Sequence, residues 1–275
     1  LPLCEAAEAF FARHGGRDVD MGVLVPDGIS QMLRKLMASP RFRNMTLNGY
    51  TALLDDAVEQ QFAALTIDLG NGSIYISFRG TDDTIVGWKE DLNMGFLEEI
   101  PSQKQSVAYV ARMARQYPDK TIRIGGHSKG GNLSVYAAVK APAAVQDRIV
   151  QVYNNDGPGL PNEVAEIMFT PQANETVLNL LPEDSIVGRM LAPGGKNKII
   201  KSEASGGAQH NIFTWILKGS EFESAKRFSL LSDYMEDTLT ESLETMNPEQ
   251  LKSIVQKLFE IAKAGAFLFL KTVLY

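Results

Sequence analysis

Between Thr121 and Leu181 the hydrophobic pattern switches repeatedly between strand and helix periods. Thr121 to Gly125 reads as a short apolar strand, Gly131 to Lys140 as a helix, and Ile149 to Tyr153 and Thr176 to Leu181 as further strands. Strands separated by that much chain are joined by crossovers and not by tight turns, so they run parallel. Parallel strands are stable only when helices bury them. The expected fold class is therefore α/β, with a mostly parallel sheet covered by helices on both faces.

The flanking sequence fits this frame. Ala63 to Leu69 and Ser73 to Phe78 are β-rich runs joined by Gly70-Asn71-Gly72, whose Asn-Gly pair suits a tight hairpin. Ile29 to Met37, Thr51 to Gln61 and Gln103 to Tyr117 have helical spacing, with Pro26 and Pro40 as breaks. Lys198 to Lys201 suggests a last strand, and Glu221 to Glu244 and Pro248 to Tyr275 read as two long amphipathic helices. No internal repeat interrupts the pattern. One domain is expected over 1–275, with a helical cover at 1–60, a core at 61–215 and C-terminal helices at 216–275.

Charge and composition exclude several functions. Lys and Arg number 27 against 33 Asp and Glu, a net charge of −6 that repels nucleic-acid phosphates. Cys4 stands alone and the three histidines, His14, His127 and His210, form no zinc spacing, so neither a disulfide nor a metal site is expected. Gly125-Gly126 does not extend to a dinucleotide fingerprint, and Gly194-Gly195-Lys196 lacks phosphate-loop spacing, so no cofactor is expected. Leu1 to Phe11 carries acids where a signal peptide carries bases, and a cytoplasmic location follows as an expectation. Ile261 to Tyr275 is the most apolar stretch, but Lys263 and Lys271 interrupt it and it falls short of the roughly 20 residues of a membrane span. Peripheral membrane contact stays open, as does the oligomeric state.

The chemistry concentrates at Gly126-His127-Ser128-Lys129-Gly130, a G-x-S-x-G run between a strand and a helix. That setting suits a nucleophile elbow, in which glycines relieve a turn too tight for Cβ atoms and the serine sits at a helix N-terminus. The plain alternative is a glycine-rich turn with an incidental serine. A serine needs a base and an orienting acid, and both follow it in the chain in sites of this type. His210 is the one histidine after Ser128; His127 is expected to point away and His14 precedes the sheet. Two acids qualify: Asp184, just past a strand, is preferred, and Asp156 is the alternative, better suited to shaping a turn. Oxyanion donors are expected from the Lys129 N–H and from Thr81, which follows Phe78-Arg79-Gly80 at a strand end.

With Phe78-Arg79-Gly80-Thr81, Trp88, Asp91-Leu92, the elbow, Asp184-Ser185-Ile186-Val187 and His210 in this order, the chain resembles the lipase class 3 branch of the α/β-hydrolases. The resemblance runs from about residue 60 to 215 and implies a Ser128-Asp184-His210 triad, an oxyanion contribution from Thr81, and esterase or lipase chemistry without a cofactor. Lys129 replaces the family's usual leucine, as in a bacterial subgroup with a Gly-His-Ser-Lys-Gly-Gly elbow, and Gly188 replaces a proline. The expected function is hydrolysis of a small-molecule ester, thioester or lipid-like substrate through an acyl-enzyme. The alternatives are a catalytically silent binding or regulatory protein, and a lipase, peptidase or acyltransferase on the same machinery. Residues 82–96 occupy the position of a lid, with Trp88 a packing anchor at the substrate entrance. The charged lid and Lys129 together suggest soluble, short or polar acyl substrates.

Overall fold

The computed structural model describes residues 1–19, 28–82, 84–95, 97–192, 194–245 and 250. Seven strands form one sheet in chain order: β1 (Thr46–Asp55), β2 (Gln60–Asp68), β3 (Ser73–Phe78), β4 (Thr121–His127), β5 (Ile149–Asn155), β6 (Val177–Pro182) and β7 (Lys196–Ile200). β1, β2 and β3 pair antiparallel, and β3 to β7 are parallel throughout. Before the sheet come α1 (Leu3–Arg13) and α2 (Ile29–Ala38). The connections carry α3 (Ile85–Asn93), α4 (Pro101–Gln116), α5 (Lys129–Lys140), α6 (Ala143–Gln146), α7 (Asn162–Met168) and α8 (Pro171–Thr176). A two-stranded ribbon, β8 (Leu217–Lys218) and β9 (Glu221–Phe222), precedes α9 (Leu230–Thr245).

Alternation along the strands decides where the core lies. Ile74, Ile76 and Phe78 of β3, Ile122 and Ile124 of β4 and Val152 of β5 point to one face, where they bury against Tyr109, Val110 and Met113 of α4 and Leu133 and Tyr136 of α5. The opposite face carries Tyr75 and Tyr153, stacked with centroids 6.4 Å apart, beside the half-buried Arg123 and Gln151.

Two expectations are corrected. Thr51 to Gln61 was expected to be helical, but most of it is β1 and the start of β2, antiparallel partners with a bulge between Asn48 and Thr51. Gly49 at φ 66° supplies the irregular turn there, and sheet pairing outweighs a weak helical period on an edge strand that leaves Tyr50 and Leu54 exposed. The helix expected over Glu221 to Glu244 begins only at Leu230, because the chain first closes the β8–β9 ribbon. The helix expected over Pro248 to Tyr275 lies outside the described residues, apart from residue 250.

A polar ladder crosses the parallel half of the sheet. Asn154, Asn179 and Asn197 are register partners on β5, β6 and β7. The Asn154 Nδ2 donates to Asn179 Oδ1 at 3.0 Å, and the Asn179 Nδ2 donates to Asn197 Oδ1 at 2.9 Å. Asn154 also accepts the Gly157 N–H at 3.0 Å and donates to the Gly157 carbonyl at 2.9 Å, which closes the turn around Asp156. Asn154 and Asn179 are fully buried, so each lost partner costs a desolvated polar group. Asn154→Ala is therefore expected to lower unfolding free energy by about 2–4 kcal/mol, measured by urea denaturation. A change within a few tenths would remove the ladder from the fold's supports.

Candidate active site

Ser128 sits at the N-cap of α5 with φ 56° and ψ −130°, a conformation that L-residues avoid unless the surroundings impose it. The surroundings do so through glycine. A Cβ at Gly126 would come 2.6 Å from the Phe78 carbonyl oxygen, and a Cβ at Gly130 would collide with that same atom. The end of β3 thus lies directly against the elbow. A Cβ at Gly80 would sit 2.7 Å from the His127 carbonyl oxygen and 3.4 Å from Ser128 Cβ, so the segment after β3 passes over the serine. The Ser128 N–H donates to the Asn155 carbonyl at 3.0 Å and Asn155 Nδ2 donates to the Gly126 carbonyl at 2.9 Å, binding the elbow to the end of β5.

His210 meets the elbow through His127. The His127 Nε2 donates to the His210 carbonyl at 2.7 Å, and the two rings lie 4.4 Å apart. His210 Nδ1 donates to Asp156 Oδ2 at 2.7 Å. With Nδ1 committed, Nε2 is the ring nitrogen left to exchange a proton with a nucleophile. Among the described residues no hydrogen bond joins Ser128 Oγ to His210, a contact that commonly tightens only when substrate binds.

The geometry does not bring the preferred acid to His210. Asp184 does not touch His210; its Oδ2 accepts the Gly206 N–H at 2.6 Å and Gln209 Nε2 at 2.9 Å, while its own N–H donates to Gln209 Oε1 at 2.9 Å. Asp184 therefore pins the loop that precedes His210, and Asp156 takes the imidazole. Asp156 is 1% exposed and adopts φ 49°, so the residue that shapes the turn is also the one that meets the imidazole. Its Oδ1 accepts the Ser185 hydroxyl and, at 3.2 Å, the Gly188 N–H. A proline at 188 could not make that bond.

Thr81 follows the Gly80 segment that passes over the serine, and its hydroxyl donates to Asp91 Oδ2. The Lys129 N–H belongs to the first turn of α5, where backbone donors lack helical acceptors. The Lys129 ammonium turns away from the serine. It is fully buried and donates to the Gln61 carbonyl at 2.9 Å, Gln61 Oε1 at 2.6 Å and Glu90 Oε2 at 3.1 Å. The cation that the sequence places beside Ser128 is thus engaged in the interior. Asp91 lies 3.7 Å from the ammonium, and burial pushes its carboxyl up to about 6 against the opposing pull of Lys129 and Thr81.

α3 stands over the oxyanion segment. A Cβ at Gly87 would touch Thr81 Cγ2 at 3.0 Å and Gln61 Oε1 at 3.1 Å, and Trp88 Nε1 is buried without a hydrogen-bond partner. Asp83 and Phe96, which belong to the segment 82–96, lie outside the described residues.

The family described as Mbeg1-like matches residues 36–260, most of the chain. The chain belongs to the Mbeg1-like family. It is also similar to a fungal lipase–inhibitor complex (16% identity, 86% of this chain and 92% of that one, TM-score 0.45). A lipase from Rhizopus microsporus var. chinensis is similar at 17% identity over 72% of each chain, TM-score 0.44. The native Rhizomucor miehei lipase propeptide complex is similar at 20% identity over 57% of each chain, TM-score 0.42, so this chain spans little more than half of its length. No curated protein matches.

In this Mbeg1-like chain, sequence reasoning missed the buried partners of Lys129, namely Gln61 and Glu90, the latter held in turn by Ser102. A signal was present: a lysine in the apolar first turn after the nucleophile demands a buried acid, and Glu90-Asp91 is an adjacent acidic pair in a short helix. His127, expected to point away from Ser128, is turned toward His210. Burial, reinforced by the neighbouring His210, depresses its pKa from 6.5 to about 4. Below pH 6.5 the unfolded histidine takes up a proton that the folded one refuses until about pH 4, so acid favours the unfolded state. Relative to a His127→Gln variant, the wild type is expected to lose up to about 3 kcal/mol of stability as pH falls from 6.5 to 4, followed by denaturation at each pH. Parallel stability curves for the two proteins would contradict a neutral, buried His127.

Proposed function

We propose that this protein is a serine hydrolase that cleaves a carboxylic ester or thioester through an acyl-enzyme, with Ser128 as nucleophile, His210 as base and Asp156 as the orienting acid. The observation that carries it is the 2.7 Å bond from His210 Nδ1 to the buried Asp156, beside a serine held at φ 56°. Ser128 Oγ attacks the acyl carbon while His210 Nε2 takes its proton. The N–H groups of Thr81 and Lys129 stabilise the oxyanion, and the imidazolium returns the proton to the leaving group. Asp156 fixes the tautomer and balances the charge on the imidazolium. Water then resolves the acyl-enzyme by the same steps in reverse.

An alkyl fluorophosphonate followed by peptide mapping tests the assignment. The adduct is expected on Ser128, and Ser128→Ala is expected to lose both labelling and all but residual hydrolysis of a short aryl ester. Intact protein without adduct would favour a silent binding protein. Asp156→Asn is expected to lower kcat by about 10³–10⁴ through the wrong imidazole tautomer, and Asp184→Asn by less than about tenfold. The reverse ranking, in steady-state kinetics, would return the acid to Asp184.

The substrate we favour is soluble, short or polar. Its support is no longer Lys129 but the fastening of α3, which is tied by Glu90 to Gln61 and Ser102, by Asp91 to Thr81, and by Lys89 and Asn93 to Glu59. An interfacial lid must leave its seat at a lipid surface, and a seat built from buried polar bonds opposes that. The rate on a short triglyceride is expected to rise smoothly through its solubility limit. A sharp jump at that concentration would restore the interfacial lipase.

A further inference from the structure

A fully buried ammonium costs several kcal/mol unless its neighbours replace water, and at Lys129 the replacement comes from two other elements. β2 offers the Gln61 carbonyl and Oε1, and α3 offers Glu90. Glu90, itself 0% exposed, also accepts the Gln61 N–H at 2.9 Å, the Ser102 N–H at 2.8 Å and the Ser102 hydroxyl at 2.8 Å. The carboxylate is thereby saturated with donors from β2, α4 and α5. Next to it in α3, Asp91 holds the Thr81 hydroxyl on one oxygen and leaves the other, buried and 3.7 Å from the ammonium, without a hydrogen bond.

The lysine, the residue after the nucleophile, is therefore the hub that joins the helix starting at the elbow to the helix over the oxyanion segment. We propose that Lys129 is a positioning residue whose buried ammonium fastens α3 to α5 and so keeps Thr81 aligned with the Lys129 N–H over Ser128. The proposal rests on the hydrolase reading for its catalytic consequence but not for its structural one. Without the ammonium, the neighbouring Glu90 and Asp91 carboxylates lose the cation that both approach, and α3 loses its ionic tie to α5. The alignment matters most when charge develops on the substrate oxygen, so kcat and not KM should respond.

The test compares wild type, Lys129→Met, and Lys129→Met combined with Glu90→Gln, which removes one buried charge of each sign. Amide hydrogen exchange is followed across α3 and across β4, and kcat and KM are measured on a short aryl ester. In Lys129→Met, exchange in α3 is expected to rise at least tenfold with β4 unchanged, and kcat to fall about ten- to a hundredfold with KM within threefold. The double variant keeps the fold measurable if the single one fails to fold, and it is expected to retain both the loosened α3 and the low kcat. Unchanged α3 exchange in the folded variants, or wild-type kcat in the double variant, would overturn the proposal. If wild type takes no fluorophosphonate on Ser128, the hydrolase reading fails, and exchange in α3 alone decides the role of Lys129.

Discussion

The structure turns on the contact between the end of β3 and the elbow, where the Phe78 carbonyl fills the space that side chains at 126 and 130 would need. β3 and β4 are parallel neighbours with Phe78 paired to Gly126, so both chains leave the sheet at the same level and in the same direction. The segment through Gly80 and Thr81 consequently passes over Ser128 without any long loop to guide it. Side-chain-free backbone at three glycines is the condition for that approach. The positive φ of Ser128 follows from the same squeeze, since the chain must reverse into α5 within one residue.

Which carboxylate meets His210 follows from strand order. β5 lies beside β4, whereas β6 is one strand farther out, about 4.8 Å more in the sheet. His210 rests on His127 at the end of β4, so a residue at the end of β5 meets its ring sooner than one beyond β6. Asp184 then holds the Gly206 N–H and the Gln209 side-chain amide, and Ser185 and Gly188 hold the other oxygen of Asp156. The stretch resembling the acid segment of class 3 lipases thus supports Asp156, which the neighbouring strand supplies. Gly188 belongs to this arrangement twice, because its N–H serves Asp156 and a Cβ there would strike the same carboxylate.

The parallel core was legible because each element had a local cause. The hairpin at Gly70-Asn71-Gly72, the strand before Gly126 and the helix after Ser128 all form where sequence period and turn chemistry agree. β1 was not legible, since Tyr50, Leu53 and Leu54 lie on an edge where neither face is buried deeply enough to impose alternation. At the candidate site, the proposed roles of Ser128, His210 and Thr81 could be read from motif and order. The choice between Asp156 and Asp184 could not, because it depends on which strand lies next to β4. The direction of the Lys129 side chain was equally hidden, as its partners are 39 and 68 residues away in sequence.

Support for the acid extends past the histidine. The carbonyl of Ser185, whose hydroxyl holds Asp156, accepts the hydroxyl of Ser232, a fully buried residue in the first turn of α9. Arg189, in the same loop, donates to Ser232 Oγ at 3.0 Å, pairs with Asp233 at 2.7 Å and with Glu236, and stacks over Phe228 at 4.2 Å. The Ser229 N–H adds a bond to the Glu183 carbonyl at 2.9 Å. Peeling this turn away would strand buried polar groups on both sides, so α9 and the loop at 183–189 behave as one unit. The orientation of the imidazole therefore depends, through Ser185 and Asp156, on a helix that the resemblance spanning residues 60 to 215 did not include.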